Sequence, residues 1–214
     1  MEEDISIIDT KTRNEKIKSF ITENKKKLIY LLLIIIIFIL SFYSYLIYQD
    51  KQRLLLSDKY NIASTEYEKG NKSKTISTMK EVIEKKDRTY SPLALYFLID
   101  NNLIEDNDEI NYLFDVLIDE TNLDYEIKNL IIYKKGLYNA DTIDEKGLLD
   151  ILNPLINSKS IWKSQALYLA AEFFYSKNEK QKAKEFFNQI LQTTNANQEI
   201  LKEAQKRLNR DLSE

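Results

Sequence analysis

Carboxylates, lysines and tyrosines are the only reactive side chains in quantity here, because the chain has no Cys and no His. That excludes thiol nucleophiles, Ser-His-Asp triads and zinc sites built on Cys or His. The three glycines, Gly70, Gly136 and Gly147, lie too far apart to form a phosphate-cradling loop. The densest acidic run is Glu105-Asp106-Asn107-Asp108-Glu109. It lacks the central Gly and the terminal Glu of a calcium loop, so it reads as a polar turn with Asp108 capping the next helix. These absences predict no catalytic residue, no metal ligand, no cofactor and no enzyme. The enzymatic alternative is a carboxylate-only hydrolase of cell-wall glycan, which needs two facing acids in a deep cleft. A formal net charge of −3 supplies no basic face for nucleic acid.

The tyrosines are better placed for binding than for catalysis. Tyr60 and Tyr168 occupy one slot of a repeating pattern, and Tyr67 and Tyr175 occupy another. A Tyr ring offers a broad apolar face and one hydroxyl, which suits an extended polypeptide. Tyr60, Tyr67, Tyr168, Tyr175 and Glu172 are therefore the candidate partner-binding residues. Trp162, the only Trp, reads either as a ligand contact or as packing beside Ala166.

The elements that position them are helices. Three glycines and two prolines are too few for the turns of an all-β fold. Apolar residues recur at helical spacing over 50–69, 72–85, 92–103, 108–119, 123–139, 143–157, 161–176, 179–193 and 197–211. Ser91-Pro92 reads as a helix start and Asn153-Pro154 as a stop or kink. The clearest repeat unit is 164–197, with Leu167, Ala170, Ala171 and Phe174 on one helix, Asn178-Glu179 in the turn, and Ala183, Phe187 and Ile190 on the other. A second copy fits 56–89, where Ile62-Ala63, Gly70-Asn71, Met79 and Val82 take the matching places. Leu95, Leu98 and Ile99 place a third unit, and Leu130, Tyr133 and Leu137 a fourth. Small residues where two helices cross closely, repeated about every 36 residues, predict an all-α tetratricopeptide-like solenoid of antiparallel pairs. The helix over 197–211 has the polar outer face of a cap.

Ahead of the repeats, Leu28–Tyr48 holds no charge. At 1.5 Å per residue it reaches about 31 Å, the thickness of a hydrocarbon core. It is longer than the apolar region of a cleaved signal and lacks a small-x-small site, so it reads as an anchor. Residues 11–27 carry seven Lys/Arg against three in 49–65, which places the N-terminus in the cytoplasm. The expected divisions are a cytoplasmic segment 1–27, a transmembrane helix 28–48 and a repeat domain 49–214 across the membrane. Ile5, Ile8, Ile17 and Phe20-Ile21 give the first segment an amphipathic pattern.

Asp4-Ile5, Asp9, Arg13, Glu15-Lys16 and Phe20, the span directly after them, and the later Leu152-Asn153-Pro154-Leu155 and Ile161-Trp162-Lys163 carry a resemblance. Together they resemble the tetratricopeptide-like family of single-span inner-membrane proteins that includes the ancillary subunit of the SecYEG translocon. The resemblance covers nearly the whole chain. It implies an inner-membrane protein with a periplasmic interaction domain, a chaperone-like role in protein export, and as partners the SecYEG translocon with periplasmic chaperones or exported polypeptides. The alternative within the same class is a scaffold for another cell-envelope assembly complex.

Overall fold

The computed structural model describes residues 15–212, and among them every regular element is helical. Asp4-Ile5, Ile8, Asp9 and Arg13 lie outside the described residues. The chain divides into two compact units, one through Leu55 and one from Leu56.

In the first unit, α1 covers 15–23 and α2 (Lys25–Glu68) begins after Asn24. From Ile29 to Tyr48 the large apolar side chains are exposed on every side of α2. A helix apolar all round has no solvent face, and here no protein covers it. It is the one helix among the described residues long and apolar enough to cross a membrane.

The second unit uses the last turns of α2 and then α3 (Lys72–Glu84), α4 (Tyr90–Asp100), α5 (Asn107–Asp115), α6 (Tyr125–Asn139), α7 (Glu145–Ile156), α8 (Lys163–Ser176), α9 (Lys180–Leu191) and α10 (Gln198–Asp211). A π-helical turn, Val116–Glu120, extends α5. Consecutive helices pack as hairpins, the arrangement of a tetratricopeptide-like solenoid, and α10 closes the series against α8 and α9.

Local chemistry sets the ends of these helices. Gly70, at φ +85°, and Asn178, at φ +62°, stop the first helices of the first and fourth pairs. In both turns the next amide reaches back to a carbonyl of the last helical turn: Asn71 N to Glu66 O and Glu179 N to Phe174 O, each 2.9 Å. Only Gly and Asn take this left-handed conformation at small cost. Two caps differ from the sequence reading. Asp106, not Asp108, caps α5, accepting from the Asp108 and Glu109 amides, because Asp108 already lies inside the first turn. Asp87 serves the start of α4 by accepting from Thr89 N and Tyr90 N, while the Ser91 hydroxyl turns back to the Val82 carbonyl at 2.9 Å. Pro154 does not end α7, which runs on to Ile156. A proline this close to a C-terminus frees only a carbonyl near the exposed end of the helix.

The core forms two clusters that meet at α6. Ile131 belongs to the cluster of the first two pairs, and its neighbour Ile132 to that of the last two pairs and α10. Ala63, Ala170, Ala171 and Ala183 are fully buried, as close helix crossings require, whereas Ile62, matched to Ala170 by sequence, is exposed on α2. In the third pair the small residue is Gly136, where an added Cβ would come within 2.6 Å of Leu152 Cδ2. This corrects the expected register of α6. Asn129, Ile132 and Gly136 turn inward, while Leu137, expected in the core, is exposed.

Candidate functional site

The first helices of the pairs touch one another in chain order, and tyrosines make the seams. Tyr60 on α2 meets Tyr90 and Phe97 of α4 at ring-centroid distances of 6.2 and 6.1 Å. Tyr96 on α4 lies under Lys134 Nζ of α6, 5.6 Å from the ring centre. Tyr133 on α6 stacks on Trp162 at the start of α8, at 6.0 Å and 16°. Tyr168 on α8 packs edge-on against Phe187 of α9 at 5.6 Å.

Tyr60, Tyr96, Tyr133 and Tyr168 stand 36, 37 and 35 residues apart. One tyrosine slot therefore recurs on four consecutive first helices. Each ring is half-buried, and burial raises each phenol's pKa. The effect is largest at Tyr96, pushed to about 12 by burial and by the neighbouring Asp100 charge. Its hydroxyl is buried without a hydrogen-bond partner.

The sequence-predicted residues form two groups. Tyr60 and Tyr67 both pack on Phe97, Tyr67 edge-on at 5.4 Å. Tyr168, Glu172 and Tyr175 gather around Arg207. Its guanidinium donates to both carboxylate oxygens of Glu172, with Nε to Oε1 at 2.7 Å, and to Asp211 Oδ2 at 2.7 Å. It also lies 4.7 Å above the Tyr175 ring. These bonds raise the Arg207 pKa, and Arg210 with Arg207 holds the Asp211 carboxyl far below its ordinary range. The fourth slot is thus filled by the chain's own arginine.

Tyr96, Tyr133 and Arg207 escaped the sequence reading. The 36-residue spacing from Tyr60 was signal enough for the first two, but the misplaced register of α6 assigned Tyr133 to the core. Trp162 joins pairs rather than standing free: its indole N–H donates to the Glu126 carbonyl at 3.1 Å.

Beside the tyrosines, Leu93 and Leu137 are 44% and 47% exposed on the same layer. No group of three or more Asp or Glu among the described residues could hold a metal ion. A surface pocket of about 530 Å³ between the α7–α8 and α9–α10 turns is lined by Lys159, Lys163, hydroxyls and amides, with no carboxylate.

No family model, curated protein or solved structure matches this chain. Its function therefore rests on the residues themselves.

Proposed function

We propose that this is a membrane-anchored interaction subunit whose layer of first helices binds extended polypeptide. The observation that carries this reading is the tyrosine slot repeated on α2, α4, α6 and α8, with Leu93 and Leu137 exposed beside it. Regularly spaced half-buried rings fit a chain lying across successive helices, with each helix adding one weak contact. The anchor supports the same reading, since holding the layer at a membrane raises its effective concentration toward polypeptide emerging there.

The resemblance of the N-terminal block and span narrows the proposal to an ancillary, chaperone-like subunit of the SecYEG translocon in a bacterial inner membrane. The Lys/Arg excess before the span supports a cytoplasmic N-terminus and a periplasmic repeat unit.

Two experiments test this. The chain has no native Cys, so single cysteines report topology cleanly. Asp150→Cys reacts with an impermeant maleimide once the outer membrane is opened, and Lys18→Cys only after the inner membrane is lysed; the reverse order sinks the orientation. Photo-crosslinkers at Phe20 and Tyr45 give adducts with SecY or its neighbours. Reproducible adducts with an unrelated envelope complex move the function to a scaffold of that complex.

A further inference from the structure

We infer that the polypeptide bound on the first-helix layer is basic, carrying Lys or Arg at intervals of about three residues between apolar side chains. This rests on the polypeptide-binding reading above and names the class of chain that fits.

The acids along this layer sit where helix stability does not want them. α2 ends on Glu68, α4 ends on Asp100, and Asp141 follows two residues after α6. None of these helices has a basic residue in its last turn. A helix C-terminus carries partial negative charge, so a carboxylate there is unfavourable by a few tenths of a kcal/mol. Glu68, Asp100 and Asp141 are exposed and form no ion pair with a described residue. The second-helix layer differs. There Lys80 pairs with Glu109, Lys86 with Glu120 at 2.6 Å and Lys182 with Glu145 at 2.7 Å, tying successive second helices together. Such pairs join successive second helices, whereas the three acids at the first-helix ends are joined to no neighbouring helix in this way.

The chain itself shows what these slots accommodate. In the fourth pair, Glu172 and Tyr175 hold the Arg207 guanidinium. In the second, Lys134 stands over Tyr96. In both, a cation from the next first helix meets the tyrosine slot. An extended partner with basic side chains would make the same contacts with Glu68, Asp100 and Asp141, while its apolar side chains cover Leu93 and Leu137. The spacing follows from geometry. Packed helices lie about 8–10 Å apart and an extended chain advances about 3.3 Å per residue, so neighbouring slots are about three residues apart.

The test uses the full chain in micelles of a neutral detergent. Binding of fluorescent twelve-residue peptides repeating Arg-Leu-Ser, Gln-Leu-Ser or Glu-Leu-Ser is read by anisotropy. The Arg peptide binds tightest. The triple variant Glu68→Gln, Asp100→Asn, Asp141→Asn weakens it about ten-fold, the sum of three partly screened ion pairs. A control variant neutralises three acids outside this layer (Asp119→Asn, Asp150→Asn, Glu185→Gln) and changes affinity less than about two-fold, as a long-range charge effect does at ordinary salt. Circular dichroism checks that both variants stay helical. Equal losses in the two variants, or a Gln peptide that binds as tightly as the Arg peptide, overturns the basic-ligand inference and leaves polypeptide binding standing. If none of the three peptides binds, both readings fall.

Discussion

Arg207 and Glu172 stand 35 residues apart, in the same slot of consecutive first helices, and are joined by two hydrogen bonds. With Tyr175 beneath the guanidinium and Asp211 beside it, this pair fastens α10 to α8. The apolar side of α10 does the rest: Ala204 is fully buried and Leu212 nearly so. Replacing Arg207 with Ala leaves Glu172 without its partner and lowers stability by about 1–2 kcal/mol. Urea denaturation reads the loss. Hydrogen exchange quickens first in α10, and exchange that quickens uniformly contradicts the fastening role.

The same cluster sets a pH dependence. The Asp211 carboxyl titrates far below its ordinary range because Arg210 and Arg207 bond to it. A depressed carboxyl contributes stability that is present in full above the unfolded value, near pH 4, and lost as pH falls toward the folded one. Thermal melts from pH 7 to pH 2 therefore show the Asp211→Asn protein falling less steeply below about pH 4 than wild type. Parallel curves count against the cluster.

Tyr96 makes the opposite prediction, because its hydroxyl is buried and unpartnered. Tyr96→Phe removes an unmet polar group and raises stability by about 1 kcal/mol. Tyr138→Phe loses a 2.6 Å hydrogen bond to Asn107 Oδ1 and lowers stability by about 0.5–1 kcal/mol. Absorbance at alkaline pH shows the Tyr96 phenol titrating last among the raised tyrosines, since it is pushed to about 12. Its raised value means a contribution to stability that holds below about pH 10 and fades as pH climbs to the folded value.

Gly136 tests the corrected register of α6. Ala is the better helix former by about 1 kcal/mol, so an exposed Gly136→Ala would stabilise. Here the new methyl meets Leu152 Cδ2 at 2.6 Å in a fully buried site. Overpacking of about 1–3 kcal/mol outweighs the propensity gain, and the variant melts lower. Adding Leu152→Val returns part of the loss, and a double mutant that shows no such coupling contradicts the close crossing.

Much of this architecture is legible in the sequence because local and global signals agree. The pair over 164–197 is legible from Ala170, Ala171, Ala183 and Phe187, all buried as expected, and its turn from Asn178. The third pair is harder. Its small residue is a lone Gly, its core face includes the polar Asn129, and Leu137 is an apolar residue left outside. Hydrophobicity alone therefore shifts α6 by one residue and hides Tyr133. Arg207 is invisible for another reason. Its role depends on α10 docking against α8, and sequence spacing does not say which face a capping helix presents.

Asn178 offers a check on the turn chemistry. Its φ of +62° costs an alanine about 1–2 kcal/mol, so Asn178→Ala melts lower. Asn178→Gly keeps the turn at wild-type stability or slightly above it. Equal melting temperatures for the two variants would deny the left-handed turn.

The most direct test of polypeptide binding places photo-crosslinking residues at Leu137, on the first-helix layer, and separately at Tyr112, exposed on α5. Each protein is expressed in cells and its adducts are identified by mass spectrometry. Polypeptide adducts at Leu137 and none at Tyr112 are the predicted result. Adducts of equal yield at both positions, or none at Leu137, contradict the assignment of binding to the first-helix layer.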